Sequence, residues 1–195
     1  VNLLKLGKGE KVTTVLPWRE EGTTGYLTCV TAKGMIKKTD IAEYQHARND
    51  GIKAINLRPG DELIDVRITS GDDELIIVSQ RGNAIRFQES DVNPTGRSTA
   101  GVRGMRIEEG DRVVDMDIVR EDCDLLVISE NGYGKRTPLS EYHLQARSGK
   151  GVMTLKVSDK TGAVTSALVV RGNEEIMVIS REGTLIRTSV SDISV

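Results

Sequence analysis

The stretch Leu125–Thr137 reads L-L-V-I-S-E-N-G-Y-G-K-R-T. It consists of a four-residue apolar run, a polar turn that contains glycine, and a second extended segment, which is the pattern of a β-hairpin. Its two neighbouring glycines, followed by Lys and Arg, would also suit a loop that holds a nucleotide phosphate. Such a loop requires a helix directly after it, and no helical pattern follows Thr137.

The same pattern occurs four times along the chain, and the repetition decides between the two interpretations. The four copies are residues 27–39, 75–87, 125–137 and 176–188, with turn glycines Gly34, Gly82, Gly132 and Gly183. The second glycine, Gly134, is not repeated, because Ile36, Ala84 and Leu185 stand at the equivalent positions. The recurring glycine suits a turn residue with positive φ. We therefore predict four hairpins and no nucleotide-binding loop.

Two further families of segments repeat in the same order. One comprises G-I-K-A-I-N-L, G-V-R-G-M-R-I and G-V-M-T-L-K-V, which begin at Gly51, Gly101 and Gly151. The other comprises G-E-K-V-T-T-V, G-D-E-L-I-D-V and G-D-R-V-V-D-M. Each unit of about fifty residues holds about four strands, the content of a propeller blade, and buries its sheet against the next unit. The predicted fold is therefore all-β and propeller-like, with blades of about four strands.

These repeats divide the chain into a single repeat domain, residues 1–195. The predicted units are residues 7–57, 58–107, 108–158 and 159–195, and the last unit stops before its Gly-Val strand. Residues 1–6 match the Gly-Val strand without its glycine, and we expect them to be the last strand of a preceding repeat. On this interpretation both ends are truncated from a longer array and stay apart within one chain.

The composition argues against several classes of protein. No apolar run approaches the length of a membrane span, and the N-terminus does not resemble a signal peptide, so we expect no membrane partner. The two cysteines, Cys29 and Cys123, provide no disulfide framework, which favours a reduced, cytoplasmic location. The net charge of −2 argues against a nucleic-acid partner unless the two signs of charge are segregated.

A basic residue stands four positions after each turn glycine. These residues are Lys38, Arg86, Arg136 and Arg187, and Lys37 and Lys135 precede two of them. A solvent-exposed strand face would explain one copy, but four copies of four favour a functional stripe. On this interpretation, replacing Arg86, Arg136 and Arg187 together by Ala weakens the binding of a polyanion and leaves the fold intact.

The loops before the Gly-Val strands add positive charge, since they read A-R-N-D-G, G-R-S-T-A-G and A-R-S-G-K-G, while acids collect in segments such as G-D-E-L and D-D-E-L. Stacked repeats would therefore have a basic perimeter. Small residues beside the arginines permit close approach of phosphates. The low aromatic content, 3%, argues against binding by base stacking. The predicted ligand is double-stranded DNA held by its backbone. The candidate DNA-binding residues are Lys37, Lys38, Arg48, Arg86, Arg97, Arg103, Lys135, Arg136, Arg147, Lys150 and Arg187.

Catalytic patterns are weak in this sequence. The two histidines, His46 and His143, have no partners at metal-ligand spacing, and no serine lies in a nucleophile motif. Tyr44 and Tyr142 follow glutamates at equivalent places in two repeats, and we interpret them as packing anchors. The sequence therefore indicates a binding module without catalytic residues, metal or cofactor.

The segments S-E-N-G-Y-G-K-R-T-P-L-S-E-Y, G-R-S-T-A-G-V-R-G-M-R-I and A-K-G-M-I-K-K-T resemble the C-terminal domain of the bacterial DNA gyrase A protein. The resemblance covers the whole chain and implies a β-pinwheel, a propeller with strands exchanged between blades, that wraps duplex DNA around a positive rim. It also implies a parent enzyme that directs strand passage toward negative supercoiling, with the gyrase B protein and a second gyrase A protein as partners. The catalytic tyrosine and the sites for ATP and Mg²⁺ would lie outside this chain.

One family feature is missing from the chain. The basic, glycine-rich heptapeptide box of the first gyrase blade is absent, and by alignment it would precede Val1. This absence keeps the C-terminal domain of the topoisomerase IV A protein as an alternative, because that domain shares the repeat. A protein-interaction propeller without a DNA function is the alternative from a different class.

Overall fold

A computed structural model describes residue 4 and residues 6–17, 24–45 and 51–195. These residues form thirteen β-strands and four 3₁₀ turns and contain no α-helix, so the all-β prediction is confirmed. The strands are β1 (Tyr26–Thr31), β2 (Met35–Asp40), β3 (Leu63–Thr69), β4 (Glu74–Ser79), β5 (Asn83–Gln88), β6 (Val102–Arg103), β7 (Val113–Ile118), β8 (Asp124–Ser129), β9 (Gly134–Pro138), β10 (Val152–Met153), β11 (Val164–Val170), β12 (Glu175–Ile179) and β13 (Leu185–Ser189). The 3₁₀ turns are Ile41–Tyr44, Glu89–Asp91, Leu139–Glu141 and Val190–Asp192.

Each sheet is an antiparallel blade built around one predicted hairpin. Blade 1 has the strand order β3-β1-β2-β6, and blade 2 has the order β10-β5-β4-β7. Within the described residues, blade 3 contains β11-β8-β9 and blade 4 contains β12-β13. The strand at one edge of blades 1 to 3 (β3, β7 or β11) follows its hairpin along the chain. The strand at the other edge, β6 in blade 1 and β10 in blade 2, follows the hairpin of the next blade along the chain.

The β6 strand shows the exchange most clearly, because it passes the β4–β5 hairpin and returns to blade 1. There Ile36 pairs with Val102 and Met35 pairs with Arg103. The β10 strand repeats this arrangement on blade 2, with Val152 opposite Ala84. The propeller-like β-pinwheel is therefore confirmed.

The turn glycines have the predicted positive φ, between 77° and 86° at Gly34, Gly82, Gly132 and Gly183. At Gly82 a second requirement is added, because its carbonyl oxygen accepts N–H bonds from Thr154 (2.8 Å) and Leu155 (3.2 Å). A Cβ atom at Gly82 would overlap the backbone carbonyl of Leu155. The glycine thus serves both the turn and the docking of the exchanged strand.

The core consists of apolar layers between successive blades. Between blades 1 and 2 it contains Ile36, Ile77 and Phe87, each with no exposed surface. Between blades 2 and 3 it contains Ile76, Leu125 and other residues of the next cluster. Because Ile76 and Ile77 point to opposite faces of β4, this central strand is buried on both sides, as its continuous apolar run requires.

The predicted repeat units and the observed blades begin at different residues along the chain. Dividing the chain at residues 58, 108 and 159 assigns β3, β7 and β11 to the later unit, whereas each pairs with the hairpin before it. The predicted strand over residues 1–6 lies mostly outside the described residues.

Both cysteines are buried, and burial raises the pKa of the Cys29 thiol to about 11. The described helices are single 3₁₀ turns, too short to cross a membrane.

Candidate nucleic-acid interface

The recurring cation is best seen at Arg86, on the second strand of the blade 2 hairpin. Its guanidinium donates from Nε to Glu74 Oε2 at 2.5 Å, and from Nη1 to the carbonyl oxygens of Leu139 (2.8 Å) and Tyr142 (3.2 Å). Glu74 belongs to the same hairpin, whereas Leu139 and Tyr142 belong to the 3₁₀ turn of the next repeat and its flank. Arg86 therefore joins its own hairpin to the following blade.

The equivalent cations of blades 1 and 3 make the same connection. Arg136 Nη1 donates to Asp124 at 2.9 Å, and its Nε donates to the carbonyl oxygen of Ile193 at 2.7 Å, beside the next 3₁₀ turn. Lys38 Nζ donates to the carbonyl oxygen of Glu89 at 3.2 Å and lies 3.5 Å from the Glu89 carboxylate. Tyr26 replaces the hairpin acid in blade 1, and Lys38 Nζ lies 4.8 Å from the centre of its ring.

These contacts occupy three of the four cations that were predicted to form a functional stripe. Lys38 is 3% exposed, and the side chains of Arg86 and Arg136 are 20% and 16% exposed, because their charged ends are occupied by carbonyls and carboxylates. Arg187 is exposed and pairs with Glu175 across its own hairpin. Three of the four recurring cations thus make a repeated packing contact with the next repeat, and the expectation that an Ala triple variant keeps its fold intact loses its basis.

Lys37 also lies inside the protein, at 1% exposure, which removes its amine from any surface that a phosphate could reach. Its Nζ donates to the carbonyl oxygens of Ala54 (2.5 Å) and Arg97 (2.7 Å). Burial lowers the pKa of this amine. Lys37 therefore connects two basic segments from underneath. The equivalent residue of blade 3, Lys135, is exposed.

The loops before the Gly-Val strands lie side by side at one edge of the blades. Ser148 N donates to the Gly104 carbonyl at 2.7 Å, and Arg106 N donates to the Gly149 carbonyl at 2.8 Å. One repeat earlier, Asn56 N donates to the Thr99 carbonyl at 2.9 Å. Successive basic segments therefore form one band, the rim ribbon, which we define as residues 51–56, 95–106 and 145–156.

The rim ribbon presents most of the remaining predicted cations. Arg103 and Lys150 are exposed, and Arg97 is partly exposed, 3.9 Å from Glu43. Arg147 is held more tightly, because its guanidinium donates to the carbonyl oxygens of Asp91 and Arg103, both at 3.0 Å. Arg48 lies outside the described residues. Residues of the ribbon that the site prediction did not include are Lys53, Arg106 and Lys156, all exposed.

The opposite edge of the blades carries acids. Asp65 on β3 and Asp115 on β7 face each other, and Asp65 Oδ2 is buried without a hydrogen-bond donor. Burial raises the pKa of Asp115 to about 7 and also raises the pKa of Asp65. A proton on Asp115 supplies the donor that Asp65 lacks. Arg67 completes the group, at 2.7 Å from Asp65 and 3.4 Å from Asp117.

Because β3 and β7 lie at the edge opposite β6 and β10, the acids Asp65, Asp115 and Asp117 lie at one edge of the blades and the exposed cations of the rim ribbon at the other. This segregation is the condition under which a chain of net charge −2 retains a surface for a polyanion.

Comparison with known proteins agrees with this architecture. A family model described as the DNA gyrase C-terminal domain, a β-propeller, matches residues 25–70, 73–120, 124–171 and 174–195. These boundaries begin at each hairpin and follow the blades. A solved DNA gyrase A C-terminal domain superimposes with a TM-score of 0.90 and 32% identity, covering 98% of this chain and 64% of that one. The C-terminal domain of a DNA topoisomerase IV gives the same TM-score at 28% identity, covering 98% and 60%.

Relatives of known identity are similar over the whole chain. The DNA gyrase A protein of Streptococcus pyogenes is 55% identical over 195 residues, and that of Clostridium acetobutylicum is 49% identical over 194 residues. The chain spans about a quarter of the length of these relatives, 24% and 23%. The matched repeats, the similar sequences and the shared pinwheel show that the chain belongs to the family of DNA gyrase A C-terminal domains.

Proposed function

We propose that this domain binds and wraps double-stranded DNA along the rim ribbon, with its backbone phosphates as ligands. The observation that carries the proposal is the ribbon itself, in which basic segments of successive repeats adjoin at the edge opposite the acids. Exposed cations spaced along such a band neutralise successive phosphates and release counterions. Because these contacts do not read base edges, binding is independent of sequence.

In the parent protein, the wrapped segment is presented to the cleavage core of an ATP-dependent type II topoisomerase. Family membership supports this role, and the proposed partners are the DNA gyrase B protein and a second gyrase A protein in the bacterial cytoplasm. Wrapping with one handedness biases strand passage toward negative supercoiling. ATP and Mg²⁺ would be bound by other parts of that assembly.

A topoisomerase IV domain is the second candidate, favoured by the equal TM-score of 0.90 with that structure. The identity of 49–55% with gyrase A proteins over the whole chain favours gyrase. On this proposal the two roles differ in whether the bound DNA is wrapped. A nicked circle is sealed by ligase in the presence of the domain, and its topoisomers are then analysed after the protein is removed. A shifted linking number indicates that the domain wraps the circle, and an unshifted one indicates binding without wrapping.

The salt dependence of duplex binding tests the proposal. If about six phosphates are neutralised, log K falls with log salt at a slope of about −5, and duplexes of unrelated sequence give the same slope. The measurement is fluorescence anisotropy with labelled duplexes between low and moderate salt. A slope near zero would remove the DNA function and leave a protein-interaction propeller as the better explanation.

A further inference from the structure

A carboxylate lies among the cations beside the rim ribbon. Glu108 follows the Gly101–Ile107 segment, and its Oε1 forms an ion pair with Nζ of Lys150, from the ribbon loop of the next repeat. About half of each side chain is exposed, 51% for Glu108 and 57% for Lys150. This pair is therefore a surface contact between two repeats, at a place where DNA can approach.

Two arginines complete the surroundings of Glu108. Arg106 lies next to the Lys150 loop, because its N–H donates to Gly149 O at 2.8 Å. Arg81 bonds through its N–H to Asp111 Oδ1 at 3.0 Å, and its guanidinium lies beside Gly110. The hydrogen bond and charge of Lys150, followed by the charges of Arg81 and Arg106, lower the pKa of Glu108. Three cations from three separate segments thus act on one carboxylate.

The repeat alignment shows that the fold does not require an acid here. Arg58 and Ser158 occupy the position of Glu108 in the neighbouring repeats. The first carries the opposite charge and the second carries none. Glu108 is therefore particular to its repeat, and its contact with Lys150 is not a general feature of the blade.

We propose that Arg81, Arg106 and Lys150 form a binding site for one phosphodiester group of duplex DNA, which the Glu108 carboxylate occupies in the DNA-free protein. The inference rests on the proposed function and extends the rim ribbon by one anion site. Carboxylate and phosphate accept the same charge-assisted hydrogen bonds from Arg and Lys. The phosphate displaces Glu108 at little cost, because exposed ion pairs contribute little stability. Glu108 thereby lowers the affinity for DNA.

Two single variants with the same change in charge test this site. Glu108→Gln releases the three cations, whereas Glu109→Gln removes the neighbouring exposed carboxylate, which makes no ion pair among the described residues. We expect Glu108→Gln to bind duplex about threefold to fivefold more tightly at about 0.1 M salt, with a salt slope steeper by up to about 0.9, because one more uncompensated positive charge then faces the phosphate. Glu109→Gln changes the affinity less than about twofold and keeps the slope.

The double variant Glu108→Gln/Lys150→Ala identifies the cations as the cause, since it loses the gain. Glu108→Ser, which introduces the residue found at Ser158, guards against an effect peculiar to Gln. Equal affinities for the Glu108 and Glu109 variants would overturn the inference while leaving the salt-dependent binding of the unmodified domain intact. A gain for inorganic tripolyphosphate without a gain for duplex would also overturn it, because the site would then hold a small anion. Loss of salt-dependent binding in the unmodified domain would remove the proposed function itself.

Discussion

Blade 2 and blade 4 share one hairpin pattern but have different surroundings. The described part of blade 2 has four strands, its central strand is buried on both faces, and the Gly82 carbonyl accepts two N–H bonds from the exchanged segment. The described part of blade 4 has only β12 and β13, and Met177 and Ile179 are 68% and 64% exposed. The hairpin is therefore specified locally, whereas its burial and its stability depend on strands that come from other repeats.

Replacing a turn glycine should give the largest difference in unfolding free energy between blade 2, with four strands, and blade 3, of which three strands are described. Gly82→Ala places a Cβ against the Leu155 backbone in addition to the strained φ of 81°, so we expect it to lower the free energy of unfolding by about 4 kcal/mol or more. Gly132→Ala has the same φ strain, at 78°, but nothing lies within 4 Å of the new methyl group, and its cost should be about 1–2 kcal/mol. Urea unfolding followed by circular dichroism measures both. Equal costs would mean that the exchanged strand adds no constraint at Gly82.

This contrast also shows what the sequence could predict. The hairpins, the positive φ of Gly132 and the strand-rich repeat depend on neighbours within a few residues, and pattern alone indicated them. The pairing of Met35 with Arg103 did not follow from periodicity, because no local signal links residues so far apart; the family resemblance implied exchanged strands but not this pairing. The contact between Glu108 and Lys150 has no sequence signal except the departure from Arg58 and Ser158.

The recurring cations were misinterpreted for the same reason. A cation recurs at the position of Arg86 because each following repeat offers carbonyl oxygens at equivalent places. For Arg86 these are the carbonyls of Leu139 and Tyr142, which lie 53 and 56 residues away. A repeated charge on a strand has the same appearance in sequence whether it faces solvent or bonds to a neighbouring blade. Only the packed structure distinguishes the two.

The second prediction compares two of these cations. Arg86→Ala leaves Glu74 Oε2 and two carbonyl oxygens without their donor in a mostly buried contact, so the free energy of unfolding should fall by about 2–3 kcal/mol. Arg187→Ala removes an exposed pair with Glu175 and should cost at most about 0.5 kcal/mol. Urea titrations of the two single variants give the values directly. A large cost for Arg187→Ala together with a small one for Arg86→Ala would reverse the roles assigned to the two side chains.

The third prediction concerns pH at the interface of blades 1 and 2. Asp115 has a folded-state pKa of about 7, raised by burial, so the folded state holds a proton that the unfolded chain releases near pH 4. Its stabilising contribution is therefore complete below about pH 4 and is lost as the pH rises through 7. Asp65, whose pKa is also raised, acts in the same direction. The free energy of unfolding should thus fall as the pH rises from about 4 to about 7.

Asp115→Asn should abolish most of this dependence and raise stability at pH 8, because its amide supplies the donor for Asp65 and its oxygen can still accept the Ala167 N–H. Asp117→Asn serves as the control, since Asp117 bonds to Arg67 and to the Val169 N–H. The corresponding residue of blade 3 is Ser166, whose hydroxyl donates to Asp115 at 3.4 Å, so the next interface lacks the acid pair. Thermal unfolding at several pH values tests this, and an unchanged slope in Asp115→Asn would contradict it.

The smallest effects on stability and on DNA binding are expected at the position that Lys37 occupies in blade 1 and Lys135 occupies in blade 3. Lys37, in complete blade 1, holds the carbonyls of Ala54 and Arg97, while Lys135 occupies the same place in blade 3 and is exposed. Lys37→Met leaves the Arg97 carbonyl without its donor and the Ala54 carbonyl with only the Tyr44 hydroxyl at 3.4 Å, and should cost about 1–2 kcal/mol of folding stability, with the salt slope of duplex binding unchanged. Lys135→Met should leave stability within about 0.5 kcal/mol and make the slope less steep by up to about 0.9, if its amine meets one phosphate. Urea unfolding and anisotropy on both variants separate the two roles. The same change in salt slope for both would mean that burial does not keep Lys37 from DNA, and that the complete blade opens when it binds.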